Sequence, residues 1–243
     1  MKLQILHLYP DAMSLYGEYA NVLALRRRLE ALGVSVSLDK ALFEDVPDFA
    51  RADFIYMGAG TERTQKAALT ALLPHRDALQ TAVDRGAVLL FTGNAMEVLG
   101  ASVTDRWGKV WPALHFASFT TVETDRRTPH DVIAAPVLWE PEAVGFMNKC
   151  SYTAGVETPL FSSLPMGLGN EVQNGPEGYV SGNVFATHIT GPVLVKNPAF
   201  LSLLTERLFA LCGWPRPAAG AGEDPLAERV YAETRAALSK RRS

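Results

Sequence analysis

The stretch "VLLFTGNAMEVLG", residues 88–100, decides the fold. It reads as a buried strand, a tight turn through Thr92, Gly93 and Asn94, and the start of a helix. A strand that turns sharply into a helix is where many α/β enzymes present a nucleophile on a strained elbow. Here the tip of the turn carries neither cysteine nor serine.

Upstream, "LQILHLY" alternates, and "NVLALRRRLEALG" spaces Val22, Leu25, Leu29 and Leu32 as one helical face with Gly33 as a stop. "VSVSL" and "ADFIYMGAG" read as the next strands. "TQKAALTALLPHRDALQTAVDRG" is helical with a break at Pro74, and leads back into the opening strand. β-α-β order of this kind predicts a parallel sheet with right-handed crossovers.

Downstream, residues 101–180 carry short β-like runs, "SFTTVET", "DVIAAPVLW" and "EAVGF", which predict an antiparallel extension of the sheet. "GNVFATHITGPVLVKNPAFLSLLTERLFALCG" returns to strand, loop and a strongly amphipathic helix. Residues 215–224 read as a linker, and 225–243 as an exposed terminal helix with a solvated basic end.

A net charge of -3 over 243 residues argues against a nucleic-acid partner, which demands a concentrated basic face. Cys150 and Cys212 lie far apart without metal-ligand spacing, so neither a zinc site nor a disulfide framework is expected. No segment has the apolar length of a signal peptide or membrane span, and a cytoplasmic protein without membrane insertion is the expectation.

Three loops fall at the C-terminal ends of predicted strands, where parallel sheets bind ligands. In "YMGAGTERTQ", Gly58 and Gly60 either expose backbone N–H groups to a ligand or form a tight turn. The second loop is Thr92-Gly93-Asn94. In the third, "ATHITGPVLVKNP", His188 reads either as a hydrogen-bonded core histidine or as a catalytic group. Cys150 is an ordinary thiol or a nucleophile; Lys149 beside it points to the opposite face of a strand.

Taken in order, these loops resemble the GatD-like glutamine amidotransferases, the glutaminase subunits of lipid II isoglutaminyl synthase, related to cobyric acid synthase amidotransferase domains. "HLYPDAMSLYGEYANVLALRRRLEALG" is similar to the opening of that family, and "YMGAGTERTQ" to its G-G-G-x-x-x-x-Q loop. "TGNAMEVLG" is similar to I-C-G-G-Y-Q-L-L-G, "VGFMNKCSYT" to V-G-F-E-N-H-x-G-x-T, and "THITGPVLVKNP" to T-Y-L-H-G-P-L-L-P-K-N-P. The likeness runs over about residues 3 to 210.

The resemblance implies a class I glutamine amidotransferase fold, flavodoxin-like and mainly parallel, in one domain over residues 1–214, with no cofactor. It also places Gly93 at the nucleophile position and Thr190 at the histidine position. A glutaminase needs a thiolate to form the thioester and an imidazole to move its protons, and neither glycine nor threonine supplies them. Arg127 falls where the family carries a glutamine-binding arginine, Arg126 being the other register, and an exposed surface arginine is the alternative.

The implied protein is a subunit that has lost glutamine hydrolysis and partners a MurT-like ligase in cell-wall amidation. Gly58, Gly60, Asn94, Arg127 and His188 would line its pocket for glutamine or another small ligand. Glu18 and Lys196 are expected on the rim of the partner interface. Two alternatives stand: an active enzyme with Cys150 or Ser151 as a relocated nucleophile, and a stand-alone small-molecule binding module.

Overall fold

In the computed structural model, β1 (Lys2–Leu8) pairs in parallel with both β2 (Ser35–Ala41) and β3 (Phe54–Met57). Residues 1–218 and 220–242 are described, with Arg242 as backbone only. Ala219 of the expected linker and Ser243 of the expected terminal helix lie outside the described residues.

Two crossovers lead on: α1 (Tyr19–Ala31) from β1, then α2 (Glu62–Leu72) and α3 (Arg76–Asp84) from β3. The expected break at Pro74 is a single 3-10 turn, Leu73–His75. Next come β4 (Val88–Thr92), β5 (Ser102–Thr104), β6 (Val110–Pro112), β7 (Thr120–Pro136), β8 (Ala143–Ala154), β9 (Phe161–Met166), β10 (Tyr179–Ser181) and β11 (Val184–Thr187). The chain ends with α4 (Val193–Lys196), α5 (Pro198–Leu211) and α6 (Pro225–Arg242).

The main sheet runs β10-β11-β4-β3-β1-β2, parallel except for the β10 edge. Its central strands β3, β4 and β11 are buried at every position, as parallel strands covered on both faces must be. One face packs on α1 and α5 through Val22, Leu25, Leu29, Leu204 and Leu208; the other packs on α2 and α3 through Leu69, Leu72 and Leu79. No helix among the described residues is long and apolar enough to cross a membrane.

Four expectations change. β5–β9 do not extend the main sheet but form a second, separate sheet around β7 and β8, and only the short edge strand β10 adds an antiparallel partner to the main one. "SFTTVET" and "DVIAAPVLW" contribute to a single strand, β7, whose register against β8 shifts between Glu123 and Thr128. "NAMEVLG" stays a 3-10 turn, Gly93–Leu99, rather than opening an α-helix. α5 is not strongly amphipathic, because α1, β4 and the second sheet enclose it from several sides.

The terminal helix is not simply exposed. Leu238 packs on Ile133 and Val144 of the second sheet, Tyr231 Oη donates to the Glu142 carbonyl at 2.6 Å, and Arg241 of the basic end pairs with Asp131.

Candidate functional site

The loops after β3, β4 and β11 converge on the inner face of β8. Glu18, at the foot of α1, fastens them: its carboxylate accepts from Gly191 N at 2.8 Å, from Tyr56 Oη at 3.0 Å and from Thr92 Oγ1. The residue is fully buried, so the expectation that it sits on an exposed rim is corrected. Burial raises the Glu18 pKa, against the opposing effect of these hydrogen bonds. Lys196, by contrast, is half-buried near the same loop.

Gly93 sits at the tip of the elbow with φ of 61° and no side chain. A Cβ placed on it would lie 2.5 Å from the Ala59 Cβ and 3.0 Å from Thr190 Cγ2. Three short residues thus share the space that a larger side chain at position 93 would need. Thr190 is tied into β8, its N–H and hydroxyl both donating to the Phe146 carbonyl, at 2.7 and 3.2 Å. Asn94 is spent on the neighbouring loop: its amide accepts from Gly60 N at 2.9 Å and donates to the Gly60 carbonyl at 3.0 Å. The Gly60 N–H is therefore already satisfied. Gly58 serves close packing, since a Cβ there would lie 2.7 Å from the Met13 carbonyl.

Beneath the elbow lies a buried charged network. His188 Nδ1 contacts Glu177 Oε1 at 3.0 Å, and His188 Nε2 lies 3.5 Å from Glu97 Oε1. Ser151 Oγ donates to that Glu97 oxygen at 2.5 Å, and Gln65 Nε2 to the other at 2.5 Å. Glu177 also accepts from Thr187 Oγ1 and from His188 N, at 2.6 and 2.7 Å. Lys149, inward on β8 with Ser151, donates to the carbonyls of Gly169 and Asn170 at 2.6 and 3.1 Å.

Two carboxylates thus face two cations in low dielectric, an arrangement sustainable only when paired and hydrogen-bonded. Burial and Lys149 push the His188 pKa down, but Glu177 and Glu97 outweigh them and hold it above its ordinary value. Burial pushes both carboxylates up, and the His188 contacts bring them below theirs. Burial lowers Lys149 to about 8.

The network borders a cavity of about 30 Å³ that is also lined by Tyr16, Gly93, Asn148 and Thr190. At its mouth Arg127 pairs with Glu62 and donates to the Asn148 carbonyl at 2.8 Å. The Cys150 thiol donates to Glu62 at 3.1 Å, and burial together with that carboxylate pushes it up to about 12. Outside lies a cleft of about 840 Å³ between α2 and the β5–β6 hairpin, floored by the buried Lys66–Glu123 pair and edged by Trp107 and Trp111. Among the described residues no cluster of side chains has the make-up of a metal site.

The structure therefore brings Gly93, Asn94, Arg127, Cys150, Ser151, His188 and Thr190 around one cavity. Sequence reasoning missed Glu97, Glu177 and Gln65 and gave Lys149 no role. A signal was available in the motifs. Glu97 stands where the quoted pattern has Gln, Lys149 where it has His, Ser151 where it has Gly and His188 where it has Tyr. Ala59 stands where it has the middle Gly. The departures are scattered along the chain and contiguous in space.

Comparisons with known proteins agree with this fold. The chain is 25% identical over 214 residues to the lipid II isoglutaminyl synthase (glutamine-hydrolyzing) subunit GatD of Staphylococcus aureus, covering 88% of this chain and 87% of that one. It is 26% identical over 199 residues to the same subunit of Streptococcus pneumoniae, covering 81% and 76%. A crystal structure of a glutamine amidotransferase superposes with a TM-score of 0.50 at 12% identity, over 86% of this chain and 98% of that one, a likeness of fold alone. Residues 4–198 match the model of the CobB/CobQ-like glutamine amidotransferase domain, and the chain belongs to that family.

Proposed function

We propose that this chain is a GatD-like subunit of a lipid II-amidating enzyme that no longer hydrolyses glutamine and acts as a binding or regulatory partner of a MurT-like ligase. The observation that carries the loss of hydrolysis is the contact among Ala59, Gly93 and Thr190, which leaves the elbow neither a nucleophile nor room for one. Thiol and base act as a unit, so losing both removes orders of magnitude in rate.

The relocated-nucleophile reading finds little support in the same geometry. Cys150 holds its proton against Glu62, and Ser151 donates to a carboxylate whose own pKa is lowered, which makes Glu97 a weak base. The partner reading rests on the two curated relatives, both named as subunits, and on exposed Leu15, Tyr16, Tyr19 and Leu23 beside the fastened loops.

The test is glutamate release from glutamine by the purified chain, alone and with its ligase. Release at background level is expected in both. Turnover abolished by Cys150→Ala would establish a relocated nucleophile instead.

A further inference from the structure

The cleft between α2 and the β5–β6 hairpin has no part in the reading of the elbow, although it shares the Arg127–Glu62 pair with the small cavity. At about 840 Å³ it has the size of a small-molecule site, far beyond what one water or ion needs. Its walls are mostly apolar, with Trp107 and Trp111 on the hairpin and Ala67 and Ala71 on α2. Trp107 is 77% exposed, so most of its indole is open to a ligand. Trp111 gives its Nε1–H to Asp105 at 3.0 Å, which leaves that ring only its apolar surface to offer.

Charge narrows the choice. Lys66 pairs with Glu123, and Arg127 with Glu62. The Asp105 carboxylate accepts from Trp107 N and Lys109 N, both at 3.0 Å, and the Lys109 ammonium lies 3.6 Å from the centre of the Trp111 ring bonded to that same carboxylate. Arg63 and Arg106 are left over: neither guanidinium has a hydrogen-bond or ion-pair partner among the described residues. Arg106 instead lies over the Trp107 ring, its Cζ 4.2 Å from the centre, which leaves its N–H groups without a carboxylate or carbonyl acceptor. Against these two cations the cleft sets a single unpaired carboxylate, the exposed Asp125, so the surplus is positive.

We propose that this cleft binds an aromatic oxyanion, a planar ring system bearing a carboxylate or phosphate, with its ring against Trp107 and Trp111 and its oxyanion on Arg106 and Arg63. The indoles select the ring, because an aliphatic body would be covered but would gain no aromatic contact. The unmatched guanidinium groups select the oxyanion, whose geometry their planar N–H forks fit. A cation or an uncharged ligand would leave both of them unanswered. Glutamine has no ring, and Arg127, the arginine expected to hold it, is engaged with Glu62. Binding is non-covalent and stands whether or not the chain hydrolyses glutamine.

Calorimetric titration of the full chain tests it, with adenosine monophosphate and naphthoate as probes. Adenosine and naphthylmethanol serve as their uncharged counterparts, and cyclohexanecarboxylate as an anion without an aromatic ring. Saturable binding of at least one of the two probes is expected, the tighter of them telling a nucleotide from a simple aromatic acid. The three controls should bind at least about tenfold more weakly. Arg106→Gln should weaken the bound anion about tenfold by removing a charge-assisted hydrogen bond, and should leave its uncharged counterpart unchanged. Trp107→Ala should weaken it about fivefold or more through lost stacking. Both side chains are exposed, so neither change threatens the fold. Ala67→Trp, which keeps every charge and fills the cleft, should abolish binding. The proposal is overturned by the absence of saturable heat with either probe, by controls that bind as well, by displacement of the probe by glutamine, or by affinity unchanged in both Arg106→Gln and Ala67→Trp.

Discussion

Ala59 and Gly93 compete for one space: a Cβ on Gly93 would lie 2.5 Å from the Cβ of Ala59. Restoring the dyad is therefore a matter of three positions rather than two. Gly93→Cys with Thr190→His should destabilise the chain by about 1–3 kcal/mol through overpacking. Adding Ala59→Gly should recover most of that loss. Urea denaturation of the double and triple variants reads the difference, and equal stabilities would show that the two residues are not coupled.

The charged network predicts a pH profile. Glu97 and Glu177 have folded pKa values below the ordinary 4.5, so their contribution is present above 4.5 and lost as pH falls through the folded values. His188 is raised above 6.5, so its contribution is full below 6.5 and lost as pH rises through the folded value. Lys149, lowered from 10.5 to about 8, works the other way, and stability recovers between about 8 and 10.5. Glu18, raised above 4.5, opposes the two other carboxylates on the acid side. Unfolding free energies across this range should fall off above 6.5, and His188→Gln should flatten that alkaline decline.

Glu97 and Lys149 should also be coupled thermodynamically. Glu97→Gln alone leaves His188 and Lys149 short of one counter-charge and should cost about 3–5 kcal/mol. Paired with Lys149→His, a change that lets the cation give up its proton, the cost should be smaller than the sum of the single variants. A double-mutant cycle by denaturant unfolding measures the coupling, and strict additivity would argue that the two charges do not sense each other.

How much of this was legible in the sequence differs between fold and site. The parallel layer was, because Val22, Leu25 and Leu29 keep helical spacing and β3 and β4 read as uniformly apolar runs bounded by glycine. The second sheet was misplaced because strand alternation reports which face is buried and says nothing about which sheet supplies the partner. The empty elbow at Gly93 was visible as a missing side chain. Its filling by Ala59 was not, since the two are 34 positions apart and meet only through the β3–β4 pairing. Glu18 read as a surface charge because acidic residues are rarely buried whole.

Cys150 should be slow to react. Its thiol donates to Glu62 and is pushed up to about 12, so little thiolate exists near neutrality. In a Cys212→Ser background, alkylation at neutral pH should lag well behind a free thiol, and Glu62→Gln should accelerate it by removing the acceptor and its charge. Rapid modification of the parent would contradict the geometry and reopen Cys150 as a nucleophile.

The partner surface gives the last prediction. Leu15, in the 3-10 turn before α1, and Tyr19 and Leu23, on α1, are 39%, 56% and 43% exposed, on the same segment whose Glu18 fastens the cavity loops. An interface that borders those loops would bury these side chains, over about 1,200–2,000 Å² in total if it is of standard size. Tyrosines are enriched among the interface residues whose loss costs more than about 1 kcal/mol, so Tyr19→Asp should weaken a ligase complex at least fivefold. Lys196 lies half-buried nearby, and Lys196→Glu should act mainly on association rate and its salt dependence. Glu18 is unsuited to such a test, because reversing it would break the contacts to Gly191, Tyr56 and Thr92 and unfold the site. Co-purification from the native host with surface-variant controls decides the matter: recovery of a ligase-like ATPase that Tyr19→Asp abolishes is expected, and a chain recovered without such a companion would refute the partnership.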